Sequence, residues 1–313
     1  IIDRDPVALS NPPRPTLFGE SDAAASPPKA AAAASRLRAI NSEVELTAHA
    51  ADFSPRNAAA LTTSAAPSVI LDGTDNFATR LLINDVAVKL GVPFIYTGAV
   101  GTRAMIAAVI PRPLPHATAC LRCLMDSPPA PGSVPTCQTA GILGPASMIA
   151  AAYQATQAIK VMLGKWDRLD GRLVEIDPWM NLHRSLDVGS PSDACPCCAQ
   201  RRFDYLSAAA ESTASLCGAG AVQVWPAGVD SGIDLDQVAS QLSRHSGAQP
   251  SELHRSRFML RAVLAEEPID TATSPTSGAA FLELSVFPDG RAIVRGTENP
   301  ARARSIYAKY LGG

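Results

Sequence analysis

Seven cysteines among 313 residues carry the clearest chemical pattern in this chain. Four of them form two C-x-x-C pairs, Cys120 with Cys123 and Cys195 with Cys198. Two intervening residues let both sulfurs of a tight turn face one ion, and two such knuckles complete the tetrahedral shell that Zn²⁺ prefers. Turn-forming prolines flank both pairs: Pro128 and Pro129 after the first, Pro191 and Pro196 around the second. The long stretch between the knuckles costs little, because loop-closure entropy grows slowly with length. Disulfides would suit a small secreted scaffold, and this chain is too large and too poor in cysteine for that. A redox pair opens a helix after a strand, which neither pair is expected to do. A shell of four sulfurs is closed, so a zinc held there would staple the fold and not activate water. Cys197 either ligates in place of a neighbour or stands idle. Cys217 reads as an ordinary buried thiol near a domain junction. Cys137 stands alone, between a Pro-rich loop and a helix. It is either a thiol that the helix dipole tips toward thiolate or a small buried hydrophobe.

Carboxylates and cations form a second pattern. Asp3 ends the first readable strand, where a nucleotide-binding fold places the acid that accepts from ribose hydroxyls. Asp75 follows a short apolar run in Asp72-Gly73-Thr74-Asp75-Asn76, and a carboxylate there could hold Mg²⁺ against phosphates. Arg14 and Lys29 lie in or beside the loop after Asp3 and could offset phosphate charge, one as a fork and one as a point charge. Each alone reads as a solvated surface charge; together, at strand ends, they read as a site.

These residues need elements to position them. Residues 1–5 read as a strand end, 43–48 as a strand by alternation, 68–72 as a buried strand, 94–96 and 105–110 as two more, and 173–176 as another. Helices are expected over 29–40, after Pro27 and Pro28; over 54–62, capped by Ser54; over 76–90, stopped at Gly91; and over 146–163, ended by Gly164. Strands alternating with helices argue for an α/β fold with a doubly wound, mostly parallel sheet, whose ligands bind outside the carboxyl ends of the strands. Residues 216–313 change character. They read as a strand over 221–225, a helix over 235–244, further strands over 281–287 and 292–295 around a Pro288-Asp289-Gly290 turn, and a helix over 299–310. That division gives two domains, 1–215 and a small α+β unit at 216–313.

Composition bounds the rest. Hydrophobic residues make up 47% and charged residues 18%, enough for a core and inconsistent with a wholly disordered chain. The 27 basic and 29 acidic residues give a net charge of −2, which argues against a nucleic-acid or membrane-coating surface. No apolar run is long enough to span a bilayer.

In order along the chain stand Ile2-Asp3-Arg4-Asp5, Asn11-Pro12-Pro13-Arg14, Pro28-Lys29, Asp72 through Arg80, Cys120-x-x-Cys123, Thr136-Cys137, Gly141-Ile142-Leu143-Gly144-Pro145 and Cys195-x-x-Cys198. This succession resembles the ThiF/MoeB/HesA family, the bacterial relatives of ubiquitin-activating enzymes, over residues 1 to about 205. The resemblance implies an N-terminally truncated Rossmann-like fold with a structural zinc. It implies ATP-dependent adenylation of the C-terminal glycine of a ubiquitin-like sulfur carrier of the ThiS or MoaD kind. By motif position, Asp3 would bind ribose, Asn11, Arg14 and Lys29 the phosphates, and Asp75, with Asn76 beside it, the Mg²⁺. Arg14, Asp75 and Cys137 would be catalytic, Cys137 by taking the acyl group or sulfur. Cys120, Cys123, Cys195 and Cys198 would hold Zn²⁺. A homodimer in the cytoplasm, with no nucleic-acid or membrane partner, is implied as well.

Departures accompany the likeness. The family's glycine-rich turn should precede Asp3 and is absent, so the chain is expected to be a fragment that binds ATP poorly and leaves a sheet edge uncovered. Prolines on both sides of Arg14 stiffen its loop. These departures favour the alternative reading, a non-catalytic zinc-stapled scaffold that binds the carrier but has lost ATP chemistry. The terminal Gly312-Gly313 is either a carrier-like tail or a helix followed by flexible glycines.

Overall fold

The computed structural model describes residues 1–7, 17–25, 27–125, 127–129, 133–135, 137–207, 213–216, 220–225, 233–245, 253–256, 258–270 and 281–311. It divides into two compact units, Ile1–Ala210 and Glu211–Gly313.

In the first unit the chain runs α1 (Glu20–Ala25), α2 (Lys29–Ile40), α3 (Ala58–Ala65), β1 (Ile70–Leu71), α4 (Phe77–Leu90), β2 (Phe94–Val100) and β3 (Arg103–Val109). It continues through α5 (Leu121–Leu124), α6 (Cys137–Ala140), α7 (Gly144–Met162), β4 (Leu173–Asp177), β5 (Leu182–Leu186) and α8 (Asp204–Ser207). Local signals explain the long helices. Pro28 precedes α2 with φ near −55° and sets the chain for helical entry. Asn76 caps α4 by accepting the Thr79 N–H, and Gly91 ends it in the left-handed region at φ 71°. Pro145 sits in the first turn of α7.

The sheet has the order β1-β2-β3-β4-β5. Phe94, Tyr96, Ala107 and Val109 face the α4 side, with Leu81 and Val88. Ile95, Ile106 and Ala108 face the α7 side, with Ala150 and Val161. Helices cover both faces, which is why β2 and β3 are almost continuously apolar.

The sheet is not mostly parallel, as the sequence suggested. β1 and β2 pair in parallel, while β2–β3, β3–β4 and β4–β5 are antiparallel. Connection length is the reason for β2–β3 and β4–β5, whereas β3 and β4 are joined through α5, α6 and α7 and pair antiparallel without that constraint. Gly101 and Thr102 alone join β2 to β3, and four residues join β4 to β5; a parallel partner needs a crossover of a dozen residues or more. Gly101 adopts φ 60° in that turn, which favours glycine. Residues 43–48 form no strand. Only His49 next to them bridges, in parallel, to Ile2. The alternation of Val44 and Leu46 misled because Val44 is exposed. The helix expected from residue 54 starts at Ala58, since Asn57 Oδ1 accepts the Ser54 N–H and folds 54–57 into a turn. β5 was not foreseen. Four of its five side chains are exposed, so it carries no apolar signal.

The second unit contains β6 (Thr213–Leu216), β7 (Ala221–Val224), α9 (Leu235–His245), β8 (Leu253–Arg255), β9 (Leu260–Pro268), β10 (Phe281–Val286), β11 (Ala292–Arg295) and α10 (Pro300–Leu311). Its sheet is antiparallel throughout, in the order β6-β7-β11-β10-β9-β8. Leu242 from α9 and Tyr310 from α10 pack with Val222, Leu264, Leu284 and Val294 in one core.

Candidate functional site

The two cysteine knuckles meet. Cys120 precedes α5 and Cys123 lies within it; the Cys123 N–H returns to the Cys120 carbonyl at 2.9 Å. In the second knuckle the Cys195 carbonyl accepts from the N–H groups of Ala199 and Gln200. Sulfur separations are 3.7 Å for Cys120–Cys195, 3.8 Å for Cys120–Cys123 and 3.5 Å for Cys123–Cys198. All four sulfurs lie within 4.8 Å of one another. Four thiolates bound to one zinc at ~2.3 Å would stand about 3.8 Å apart, so the quartet has the size of a tetrahedral shell. All four thiols are free, which sets the disulfide reading aside. The first pair does open a short helix, contrary to expectation, but its sulfurs turn toward the second pair. A hydrogen bond to Cys120, then burial, pushes the Cys123 thiol up to about 12. Burial and the neighbouring Cys123 and Cys195 push Cys198 up to about 12 as well. A bound divalent cation reverses that preference and draws off the protons. Cys197 stands outside the quartet. It is fully buried, donates to Asp85 Oδ1 at 3.4 Å and accepts from Asn84 Nδ2 at 3.4 Å.

The strand-end acids fall into two groups. Asp3 follows the Ile2 bridge, and its Oδ1 accepts the Asp5 N–H at 2.8 Å. Burial pushes its carboxyl up, against the opposing pull of Lys29. Lys29 opens α2, its N–H donating to the Asp5 carbonyl and its Nζ to Asp5 Oδ2 at 3.2 Å. The fold thus gathers Asp3, Asp5 and Lys29. Asn11 and Arg14 lie outside the described residues, as does Cys217. Asp75 and Asn76 stand beyond the carboxyl end of β1. Asp75 is exposed, with Oδ1 3.5 Å from Asn76 Nδ2. The Asn76 oxygen is committed to capping α4.

Sequence reasoning missed what holds that loop. Asp72 is buried; its Oδ1 accepts from the Thr74 N–H at 2.8 Å and the Thr74 hydroxyl at 2.7 Å. Its Oδ2 takes Arg80 Nε at 3.2 Å. Arg80 Nη2 donates to the carbonyls of Thr74 at 2.6 Å and Thr97 at 3.2 Å. The guanidinium lies 5.5 Å from the Phe77 ring centre and 5.3 Å from that of Tyr96. Gln154 on α7 donates to the carbonyls of Asp72 and Ile95. The available signal was a base among the apolar residues of α4, eight positions after an acid.

Cys137 begins α6, and its Sγ donates to the Ala99 carbonyl near the carboxyl end of β2 at 3.4 Å. With only four residues, α6 lacks the aligned peptides that the dipole argument requires. Backbone bonds from Gly101 to Gly141 and from Leu143 to Gly101 clamp this segment to the β2–β3 turn. Asp177 ties the same turn to the next one, accepting from the Thr102 hydroxyl at 2.9 Å and from the N–H groups of Trp179 and Met180. β1 and β2 run in parallel, so Cys137 and the Asp72–Asn76 loop share one end of the sheet.

A model of the ThiF family matches residues 1–197. The chain belongs to the ThiF family. A sulfur carrier protein ThiS adenylyltransferase of Bacillus subtilis (strain 168) is 37% identical over 314 residues, covering all of this chain and 84% of that protein. The match therefore extends through the second unit. A sulfur carrier protein adenylyltransferase of Thermus thermophilus is 35% identical over 200 residues, 63% of this chain and 72% of that protein. The structure of E. coli MccB with ATP superposes with a TM-score of 0.51 at 20% identity, over 64% of this chain and 58% of that one. That likeness speaks to the mixed α/β fold alone. Among the described residues no helix is long and apolar enough to cross a membrane.

Proposed function

We propose that this ThiF-family chain uses ATP to adenylate the C-terminal glycine of a ubiquitin-like sulfur carrier. The observation that carries this is the 37% identity, across its whole length, to a ThiS adenylyltransferase. In the reaction a glycine carboxylate oxygen attacks the α-phosphorus, the bond to pyrophosphate breaks, and an acyl-adenylate and pyrophosphate result. A carboxylate attacking a phosphate faces like-charge repulsion, so cations must gather there. Asp3 is assigned to ribose, and Asn11, Arg14 and Lys29 to the phosphates. Lys29 would exchange its Asp5 partner for phosphate oxygens. Asp75, with Asn76 beside it, offers a hard oxygen donor suited to Mg²⁺, which supplies charge neutralisation when bound. The buried Asp72–Arg80 pair supports this by holding the loop that presents Asp75. Cys137 is assigned a covalent step: its thiolate attacks the acyl carbonyl, AMP leaves, and a thioester forms.

Zinc is the ion we assign to the four thiols, as a closed structural staple. The parallel Ile2–His49 bridge and β1–β2 pairing are read as the parallel half of a doubly wound, Rossmann-like sheet. A homodimer is supported by the apolar surface that α7 leaves exposed at Met148, Ile159 and Met162. The six described cysteines are free, which fits a cytoplasmic setting that keeps thiols reduced.

One observation favours a second reading, a zinc-stapled scaffold that binds the carrier without ATP chemistry. Lys29 and Asn76 already have partners within the fold. Intact-mass analysis of a Gly-Gly carrier incubated with this protein and ATP separates the two. The enzyme reading predicts a carrier–AMP species. Carrier binding without any adenylate would leave the scaffold.

A further inference from the structure

We infer that Asn84 is a positioning residue that fixes both cysteine knuckles at once, an inference that rests on the four-thiol metal reading above. Asn84 and Asp85 are consecutive on α4 and both are fully buried. A buried primary amide is costly unless its donors and acceptor are engaged. Asn84 Oδ1 accepts the N–H of Leu121 at 2.9 Å, and Leu121 lies between Cys120 and Cys123. Asn84 Nδ2 donates to Cys197 Sγ at 3.4 Å, and Cys197 lies between Cys195 and Cys198. One side chain therefore touches each knuckle at the residue next to a ligand sulfur, across 37 and 113 positions of sequence. Asp85 completes the clamp. Its Oδ1 accepts the Cys197 S–H, and its Oδ2 accepts the N–H groups of Tyr205 at 2.9 Å and Leu206 at 3.3 Å, just beyond the second knuckle.

This arrangement gives Cys197 a task. Its sulfur accepts from Asn84 and donates to Asp85, which ties it to α4 while it stays beside Cys120, and Cys195 and Cys198 face the first pair. Partners of this kind, one bond removed from a metal's ligands, orient those ligands, and their loss costs about 10- to 100-fold in metal affinity. Helix α4 is a fitting base, since Asn76, Arg80 and Asn84 follow at four-residue intervals, so the helix that holds the Asp72–Asn76 loop also holds the knuckles.

The test is zinc release from the purified full chain to an excess chromogenic chelator, with the absorption spectrum of the cobalt-substituted protein as the second readout. Asn84→Ala is expected to release zinc about 10- to 100-fold faster and to shift the cobalt d–d bands that report tetrahedral sulfur geometry. Cys197→Ala keeps the four ligand thiols, so it is expected to hold one zinc per chain and release it faster. Cys197→Ser, whose hydroxyl can both donate and accept, is expected to restore slow release. Wild-type release rates and an unshifted cobalt spectrum in Asn84→Ala would overturn the inference. If that variant does not fold, a wild-type rate in Cys197→Ala does the same. A Cys197→Ala protein that binds no zinc would make Cys197 a ligand and also overturn it. A wild-type protein that takes up neither zinc nor cobalt would instead defeat the four-thiol reading beneath it.

Discussion

Arg80 and Asp75 show how differently two charged residues of one loop region act. Arg80 and Asp72 are both buried, their side chains 8% and 0% exposed. Removing one partner of such a pair strands the other in a medium that cannot solvate it, at a cost of about 3–5 kcal/mol. Arg80→Ala should lower unfolding free energy by that amount in urea titration. Arg80→Lys should fall between, since one ammonium cannot serve the Asp72, Thr74 and Thr97 oxygens from a planar fork. Asp75 is exposed and needs no partner for folding. Asp75→Ala should leave stability within about 0.5 kcal/mol while abolishing adenylate formation; full turnover in that variant would remove the Mg²⁺ assignment. The sequence pointed to Asp75 because strand ends are where ligands bind. It hid Arg80, because a lone base among apolar residues reads as a surface charge until the fold shows that all sides of that helix turn are covered. For the same reason Cys197 stayed ambiguous: spacing supplies three thiols near one ion and only packing chooses among them.

At the level of elements, capping and stop residues did most to make the fold legible. α2 matches its expected bounds because Pro28 and the following alanines admit one reading. α4 and α7 lie within two residues of theirs because Asn76, Gly91 and Pro145 are local signals that no tertiary contact overrides. Strand direction was not legible, since hydrophobic runs look alike in parallel and antiparallel sheets, and it is the short links, Gly101-Thr102 after β2 and residues 178–181 after β4, that force the chain back. The turn after β4 yields a pH prediction. Burial alone would raise the Asp177 carboxyl, but N–H groups of Met180 and Trp179, the Thr102 hydroxyl and Arg103 together hold it below its ordinary range. A carboxyl depressed in the folded state stabilises above its unfolded pKa of about 3.9 and loses that contribution as pH falls through the folded value. Asp177→Asn should therefore melt lower than wild type at pH 7. The gap should close as pH falls below about 3.9. A gap that persists unchanged in acid would show that the asparagine disturbs packing and not charge.

Across the whole molecule, two units with separate cores should respond differently to one metal. The knuckles and α4 belong to the first unit, while the second is built on Leu242, Leu264, Leu284 and Tyr310. Elemental analysis should find one zinc per chain. Chelation should lower one calorimetric transition and leave another in place; a single transition unmoved by chelation would contradict the staple. The B. subtilis relative aligns through the second unit as well, so any activity should be assayed on the full chain. The central claim is that ATP is opened at its α-phosphorus by a carrier's terminal glycine. Radiolabelled pyrophosphate exchange into ATP tests it most directly, with and without a Gly-Gly carrier. The account predicts exchange that requires the intact carrier and disappears when its last glycine is deleted. No exchange with any sulfur carrier, or exchange indifferent to that glycine, would contradict it.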